Sequence, residues 1–244
     1  TVRMSLLKPV TVPSQVAPAA PRLTSRDQLT AKDRERLEQL AFEFGASAES
    51  YLIVEPEGQC LILPDHQGAA AIVQNYCQSH LHITGGLLAP ESERPRLIRA
   101  LQGLVGPKCK TINCYSILDE EVPLFADAGF QVNKFGEEPV LDLGEVTWAG
   151  KQYEWIRRQA KYCERAGVSC TEVDRGQLSP ADWETLKADM FGTLKEDLED
   201  RPYPHELLLL EGRLMPDLLG RRRLFIARRE GAEGIEAFLV CNPM

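Results

Sequence analysis

The sequence predicts an α/β chain of the α+β kind, with helices and mainly antiparallel sheets in one polypeptide. Three observations carry this. The apolar period switches from helical to strand-like near Ser50, turns helical again after Pro90, and closes in a hairpin pattern between Arg221 and Asn242. Of 244 residues, 43% are hydrophobic and 26% charged, a balance that excludes a mostly disordered chain and a small disulfide scaffold. The order of elements divides the chain into an extended arm or linker over 1–25, a first domain over 26–145 and a second over 146–244.

The arm is read from Pro9, Pro13, Pro18 and Pro21, since proline removes donors and fixes φ. Thr30 then stands as an N-cap before a helix running to Phe44, with Leu37, Leu40, Ala41 and Phe44 at helical spacing and Gly45 as the stop. From Tyr51 to Ile83 come four short apolar runs broken by turn residues: 51–54, 60–63, 69–73 and 80–83. They predict an antiparallel meander, closed by Gly85-Gly86. Pro90 and the acids after it open a helix with Leu97, Ile98, Leu101 and Leu104 on one face. A strand over 110–117, a short helix over 120–128 and strands over 129–135 and 139–143 complete the first domain.

The second domain opens with a helix from Gly150 to Arg165, stopped at Gly167. A strand over 168–173 follows. Ser179-Pro180 caps a helix with Trp183, Leu186, Met190 and Leu194 on one face, and a further helix is expected over His205–Leu214. Arg221–Arg229 and Ile235–Asn242 form the closing hairpin, after which the chain stops where more sheet is expected.

Composition also bounds function. With 36 acidic and 28 basic side chains the formal charge is −8, so the chain cannot coat nucleic acid wholesale and any phosphate contact needs a local basic patch. No run approaches the roughly 20 apolar residues of a membrane span, and Thr1–Leu23 lacks the pattern of a signal peptide. Seven scattered cysteines with no Cys-x-x-Cys read as free thiols of a reducing cytosol, so the expected location is cytoplasmic.

One constellation stands out. Lys151, Arg157, Arg158, Lys161 and Arg165 face only Glu154 and Glu164 across the predicted helix. Arg157, Lys161 and Arg165 share a stripe, with Tyr153, Trp155 and Tyr162 interleaved. The functional reading is a phosphate-facing surface, for RNA or a lipid headgroup; the other is a solvated face paired with acids elsewhere. Lys195 and Arg201, flanking the acids Glu196, Asp197, Glu199 and Asp200, complete the candidate substrate-binding cations. His80 and His82 would share a strand face, but no third ligand type completes a metal set, so no metal is expected. There is no Gly-x-Gly-x-x-Gly, no Walker loop, no Gly-x-Ser-x-Gly and no His-Glu-x-x-His. No catalytic base is assigned and no cofactor is expected.

From Glu121-Val-Pro-Leu-Phe-Ala-Asp-Ala-Gly-Phe130, through Lys134-Phe-Gly-Glu-Glu-Pro-Val-Leu-Asp-Leu143, to Ala149-Gly-Lys-Gln-Tyr153 with Arg157, Glu164, Arg165 and Gly167, the order of features resembles the catalytic domain of bacterial aminoacyl-phosphatidylglycerol synthases, the lysyl-phosphatidylglycerol synthase type. The likeness extends over about residues 30–244. It implies tandem GNAT-like acyltransferase folds and transfer of an aminoacyl group from aminoacyl-tRNA to a lipid hydroxyl such as that of phosphatidylglycerol. It also implies peripheral contact with the inner membrane face. The basic helix would then hold the RNA end or a headgroup phosphate. The family pattern has an asparagine and a small residue where this chain has Lys161 and Cys163. Its Arg-x-x-Pro-Asp-x-Pro segment has no counterpart before Met244, so the second fold is expected to be incomplete. The alternatives are an acyl-CoA-dependent N-acyltransferase, for which the pyrophosphate loop is missing, and a non-catalytic GNAT-like module that binds RNA or a protein.

Overall fold

The computed structural model describes residues 20–55, 58–74, 79–106, 109–134, 136–137, 139–202 and 221–243. Most of the expected arm, the expected helix over His205–Leu214 and Met244 lie outside these residues.

The first sheet holds five strands in sequence order: β1 (Arg22–Ser25), β2 (Gln59–Ile62), β3 (Ala69–Gln74), β4 (His80–Leu88) and β5 (Thr111–Cys114). The first four pair antiparallel, whereas β5 joins β4 in parallel, reached through the helix α2 (Arg94–Gln102). A parallel neighbour requires such a crossover. Both faces of this sheet are covered. Along β2 and β3 the side chains alternate: Leu61, Ala70 and Ile72 join Leu97, Ile98 and Leu101 of α2 and Phe125 of α3 (Val122–Asp127). Cys60, Ile62, Ala69 and Ala71 instead join Leu37 and Leu40 of α1 (Ala31–Phe44). Burial on two sides is why these strands read as unbroken apolar runs.

Helix α1 begins as expected. The Thr30 hydroxyl accepts from the Asp33 amide at 3.1 Å, and the Asp33 carboxylate accepts from the Thr30 amide at 3.1 Å. Four expectations are corrected. Arg22–Ser25 belongs to the sheet rather than to a free arm, because its backbone completes the edge of β2. Ala48–Val54 is a 3-10 run and not a strand. Tyr51, Leu52 and Ile53 are all buried, so the run carries no alternation to distinguish the two forms. Gly85-Gly86 lies inside β4, where the register with β3 shifts, instead of closing the meander. The expected strands over 129–135 and 139–143 form no ladder among the described residues. The Asp142 carboxylate accepts from the Gly144 amide at 2.9 Å and the Asp142 carbonyl from Val146 at 3.0 Å, winding the chain into a turn.

The second sheet has the order β6 (Val168–Glu172), β7 (Arg223–Arg229), β8 (Ala237–Cys241), all antiparallel. Its inner face packs Leu224 and Ile226 against Trp183, Leu186 and Met190 of the helix α5 (Pro180–Asp200). Ser179 caps α5 as expected, its hydroxyl accepting from Asp182 at 3.1 Å. The opposite face exposes Leu239. In the chain between β5 and β6 stands α4 (Glu154–Arg165), ended by Gly167 at φ 72. None of its twelve residues is buried.

Candidate functional site

Two side-chain groups collect charge: the cations of α4, and a junction where the first sheet's elements meet the entrance to β7.

On α4, Arg158, Lys161 and Arg165 line a groove of about 380 Å³ together with Gln159 and Tyr162. Residues three, four and seven apart on a helix share a face, so three cations bear on one space. Arg157 belongs elsewhere. Its Nη1 donates to the carbonyls of Trp148 at 2.6 Å and Gly150 at 2.9 Å, so this cation pins the incoming loop to the helix. The stripe therefore runs through Arg158 rather than Arg157. Lys151 is exposed in the turn just before α4. Lys195 and Arg201 are spent locally, on Glu199 at 3.8 Å and Asp197 at 2.7 Å. The structure thus groups three of the seven candidate cations, gives Arg157 a bracing role and leaves the far end of α5 as a set of same-helix ion pairs.

The junction was not legible as a site. Arg222 pairs with Glu55, and both side chains are only 4% exposed. Arg222 Nε also donates to Asn242 Oδ1 at 2.7 Å, and its guanidinium lies 5.4 Å over the Tyr51 ring. Beside it, Arg221 reaches Glu38 at 3.1 Å and sits 5.5 Å over Phe42. The Tyr51 hydroxyl donates to Glu38 at 2.8 Å. Burial, then the hydrogen bond to Glu38 and that carboxylate's charge, push the Tyr51 phenol up to about 12, while Arg222 and Arg221 pull the other way. Tyr51 therefore stays a neutral donor. The signal in the sequence was the run Arg221-Arg222-Arg223 at a strand entrance, since successive strand side chains alternate and one must turn inward.

The histidine pair is ordinary. His80 bonds Thr111 Oγ1, and His82 stacks on Tyr115 at 5.9 Å between centroids. Burial, and then the neighbouring His80, lower the pKa of His82 and hold it neutral. No cluster of three or more metal-ligating side chains occurs among the described residues. No helix among them is long and apolar enough to cross a membrane.

A five-stranded sheet whose edge strand β5 joins β4 in parallel, followed by a second antiparallel sheet, gives the chain an α+β fold of the GNAT-like class. Residues 40–244 match the family described as phosphatidylglycerol lysyltransferase, C-terminal, and the chain belongs to that family. It is 24% identical over 135 residues to the phosphatidylglycerol lysyltransferase of Staphylococcus aureus strain COL, a match covering 55% of this chain and 16% of that protein; the enzyme of strain N315 matches equally. The fold is shared with L-PGS from Bacillus licheniformis, at TM-score 0.61 and 21% identity over 86% of this chain and 62% of that one. It is shared too with the C-terminal domain of a putative lysylphosphatidylglycerol synthetase from Agrobacterium fabrum, at TM-score 0.65 and 20% identity over 86% and 63%. The chain thus spans about a sixth of the length of the curated relatives and somewhat under two thirds of the solved chains.

Proposed function

We propose that the chain is an aminoacyltransferase domain that moves an aminoacyl group from aminoacyl-tRNA onto the hydroxyl of a phospholipid such as phosphatidylglycerol. Family membership over residues 40–244 supports the reaction class. The observation that carries the assignment to a surface is the groove of Arg158, Lys161 and Arg165, which offers three cations to phosphate in a chain of net charge −8. The division into a first domain over 26–145 and a second over 146–244 belongs to the same proposal.

The chemistry is an exchange of esters. The lipid hydroxyl oxygen bonds to the aminoacyl carbonyl carbon, the bond from that carbon to the ribose oxygen breaks, and the hydroxyl proton ends on the ribose. Such a reaction needs donors for the transient oxyanion, a route for the proton, and phosphates held still while the carbonyl and hydroxyl approach. The α4 cations answer the last need. They hold a backbone phosphate of the RNA end or the lipid's own phosphodiester, both of which pair with guanidinium and ammonium groups.

The test is transfer from radiolabelled lysyl-tRNA to phosphatidylglycerol by the 244-residue chain. Labelled lipid should form, and R158E/K161E/R165E should reduce it by more than about tenfold, the scale of losing several charge-assisted contacts. No labelled lipid above background, or unchanged transfer by the reversed protein, would refute the assignment. CoA thioesters should leave the melting temperature unchanged.

A further inference from the structure

Ser116 stands where β5 hands over to α3. The last bond of the parallel β4–β5 pairing runs from the Tyr115 amide to the Ile83 carbonyl at 3.1 Å. The chain then turns at Ser116 and passes through the 3-10 turn Asp119–Glu121 into α3. Ser116 makes this turn at φ 59, in the left-handed region that residues other than glycine rarely enter. Four non-glycine residues share that region. Asp65 and His66 belong to the β2–β3 hairpin turn, where positive φ is ordinary, and Trp148 to the loop before α4. Of the four, Ser116 is the one that joins a strand to a helix. Its hydroxyl donates to Glu49 Oε2, on the 3-10 run. That run lies against Gly85 of β4 and is bonded there through the Ser50 hydroxyl at 2.8 Å, so the carboxylate rides on a fixed support. No cation pairs with Glu49 among the described residues, and the Ile117 amide, next after Ser116, has no acceptor among them. Bracing the 3-10 run would explain the hydroxyl but not the open amide beside it. A serine on a strained strand-to-helix elbow, a base in contact with its hydroxyl and a spare amide on the following residue are the parts of an acyl-accepting nucleophile.

We propose that Ser116, with Glu49 as its base, is a nucleophile that takes up the acyl group of small carboxylic esters. It is a second ester-handling site, carried by the elements of the first sheet and separate from the transfer assigned to α4. Ser116 Oγ bonds to the ester's carbonyl carbon while its proton passes to Glu49 Oε2. The Ile117 amide donates to the carbonyl oxygen as that atom gains charge. The bond from the carbon to the alcohol oxygen then breaks, and the departing oxygen takes the proton from Glu49. Water attacks the acyl-serine by the same route, Glu49 taking its proton and returning it to Ser116 Oγ, so the net reaction is hydrolysis of the ester to acid and alcohol. The size of the acyl group follows from Gly86 of β4. A Cβ added there would meet nothing nearer than the Ser116 carbonyl at 3.8 Å, which leaves room beside Ser116 for a group as small as acetyl.

The experiment treats the whole chain with a fluorophosphonate, which labels activated serines, and separately with p-nitrophenyl acetate followed by an acid quench. Peptide mapping by mass spectrometry then locates the adducts. Both reagents should modify Ser116, and neither should modify Ser92, which is exposed in the turn before α2. S116G suits a left-handed φ and should fold at least as well as the parent, yet it should lose both adducts. E49Q keeps a hydrogen-bonding group but loses the base, and should slow both reactions by at least about tenfold. Urea unfolding checks that the two variants are folded. A missing adduct on Ser116 with either reagent would overturn the proposal, as would an E49Q rate equal to the parent's. Equal labelling of Ser92 would also overturn it, since that marks the reagent's own reactivity rather than an activated hydroxyl. Where the parent transfers lysine to phosphatidylglycerol, S116G should transfer it too. Loss of transfer together with the adducts would overturn the separation of the two sites.

Discussion

Arg222 and Glu55, 167 residues apart in sequence, form a buried ion pair that ties the strand entering the second sheet to the 3-10 run of the first. The arrangement is more than one contact, since Asn242 and the Tyr51 ring also hold Arg222. Removing one partner of a buried pair leaves the other charge desolvated and costs about 3–5 kcal/mol, whereas replacing both by apolar groups of similar volume can be nearly neutral. We therefore expect Glu55→Leu and Arg222→Met each to lower stability by about that amount, and E55L/R222M to recover most of it. Urea unfolding of the four proteins measures this. Additive losses in the double variant would show that the pair is not a coupled unit.

Asp33 predicts a pH dependence. Burial alone would raise its pKa, but hydrogen bonds from His66, Thr30 and Arg22 outweigh this and hold the carboxyl well below the usual carboxylate range. His66 Nε2 lies 2.8 Å and Arg22 Nη2 2.7 Å from the same Asp33 oxygen. A depressed folded-state pKa contributes stability above the unfolded value, about 3.9, and that stability is lost as pH falls through the folded value. D33N should therefore cost about 1–3 kcal/mol at neutral pH, with the gap to the parent narrowing progressively below about pH 4. A gap that stays constant on acidification would contradict this origin of the stability.

The cysteines divide by environment. Burial pushes the Cys60 thiol up to about 11, and burial followed by the Glu121 charge pushes Cys114 up to about 12, so neither supplies thiolate at neutral pH. Cys109 is also buried, while Cys163 on α4 and Cys170 on β6 are exposed. Alkylation of the native chain followed by peptide mapping should label Cys163 and Cys170 first and reach Cys60, Cys109 and Cys114 only in denaturant. Early modification of Cys60 or Cys114 would mean that the first core opens readily.

What the sequence made legible follows from which signals are local. The Thr30 and Ser179 caps, the apolar faces of α1, α2 and α5 and the β7–β8 hairpin need only neighbours in the chain, and the spacing locates them, although α2 starts at Arg94 rather than Pro90 and ends at Gln102, before Leu104. That the α4 cations lie on one helix was readable for the same reason, but that Arg157 turns away to Trp148 and Gly150 was not. The Ala48–Val54 run was not, since a segment buried on every side has no period. The loop around Asp142 was not either, because an Asx turn there outweighs β-propensity that finds no partner strand. Nor was the junction, whose groups come from α1, the 3-10 run and both ends of a hairpin, brought together by tertiary packing alone.

Gly85 and Gly86 show how two adjacent residues of one type carry different constraints. Both have positive φ, 71° and 78°, a region that costs other residues roughly 1–2 kcal/mol. Their surroundings differ. A Cβ on Gly85 would stand 2.6 Å from the Glu49 carbonyl oxygen and 2.7 Å from Ser50 Cα, both backbone atoms of the 3-10 run, whereas at Gly86 the nearest is the Ser116 carbonyl at 3.8 Å. Gly86→Ala should thus cost about the conformational term alone, roughly 1 kcal/mol. Gly85→Ala must also push the run off β4 and break the 2.8 Å bond from the Ser50 hydroxyl to the Gly85 carbonyl, for a total above about 3 kcal/mol. Because Tyr51 follows Ser50 directly, the displacement should also loosen the contact of Tyr51 with Glu38 and Arg222. G85A should then partly mask the effect of R222M when the two are combined, while G86A and R222M should add. Unfolding of the single and double variants decides this, and equal losses for G85A and G86A would show that the close approach of β4 to the 3-10 run does not constrain the fold.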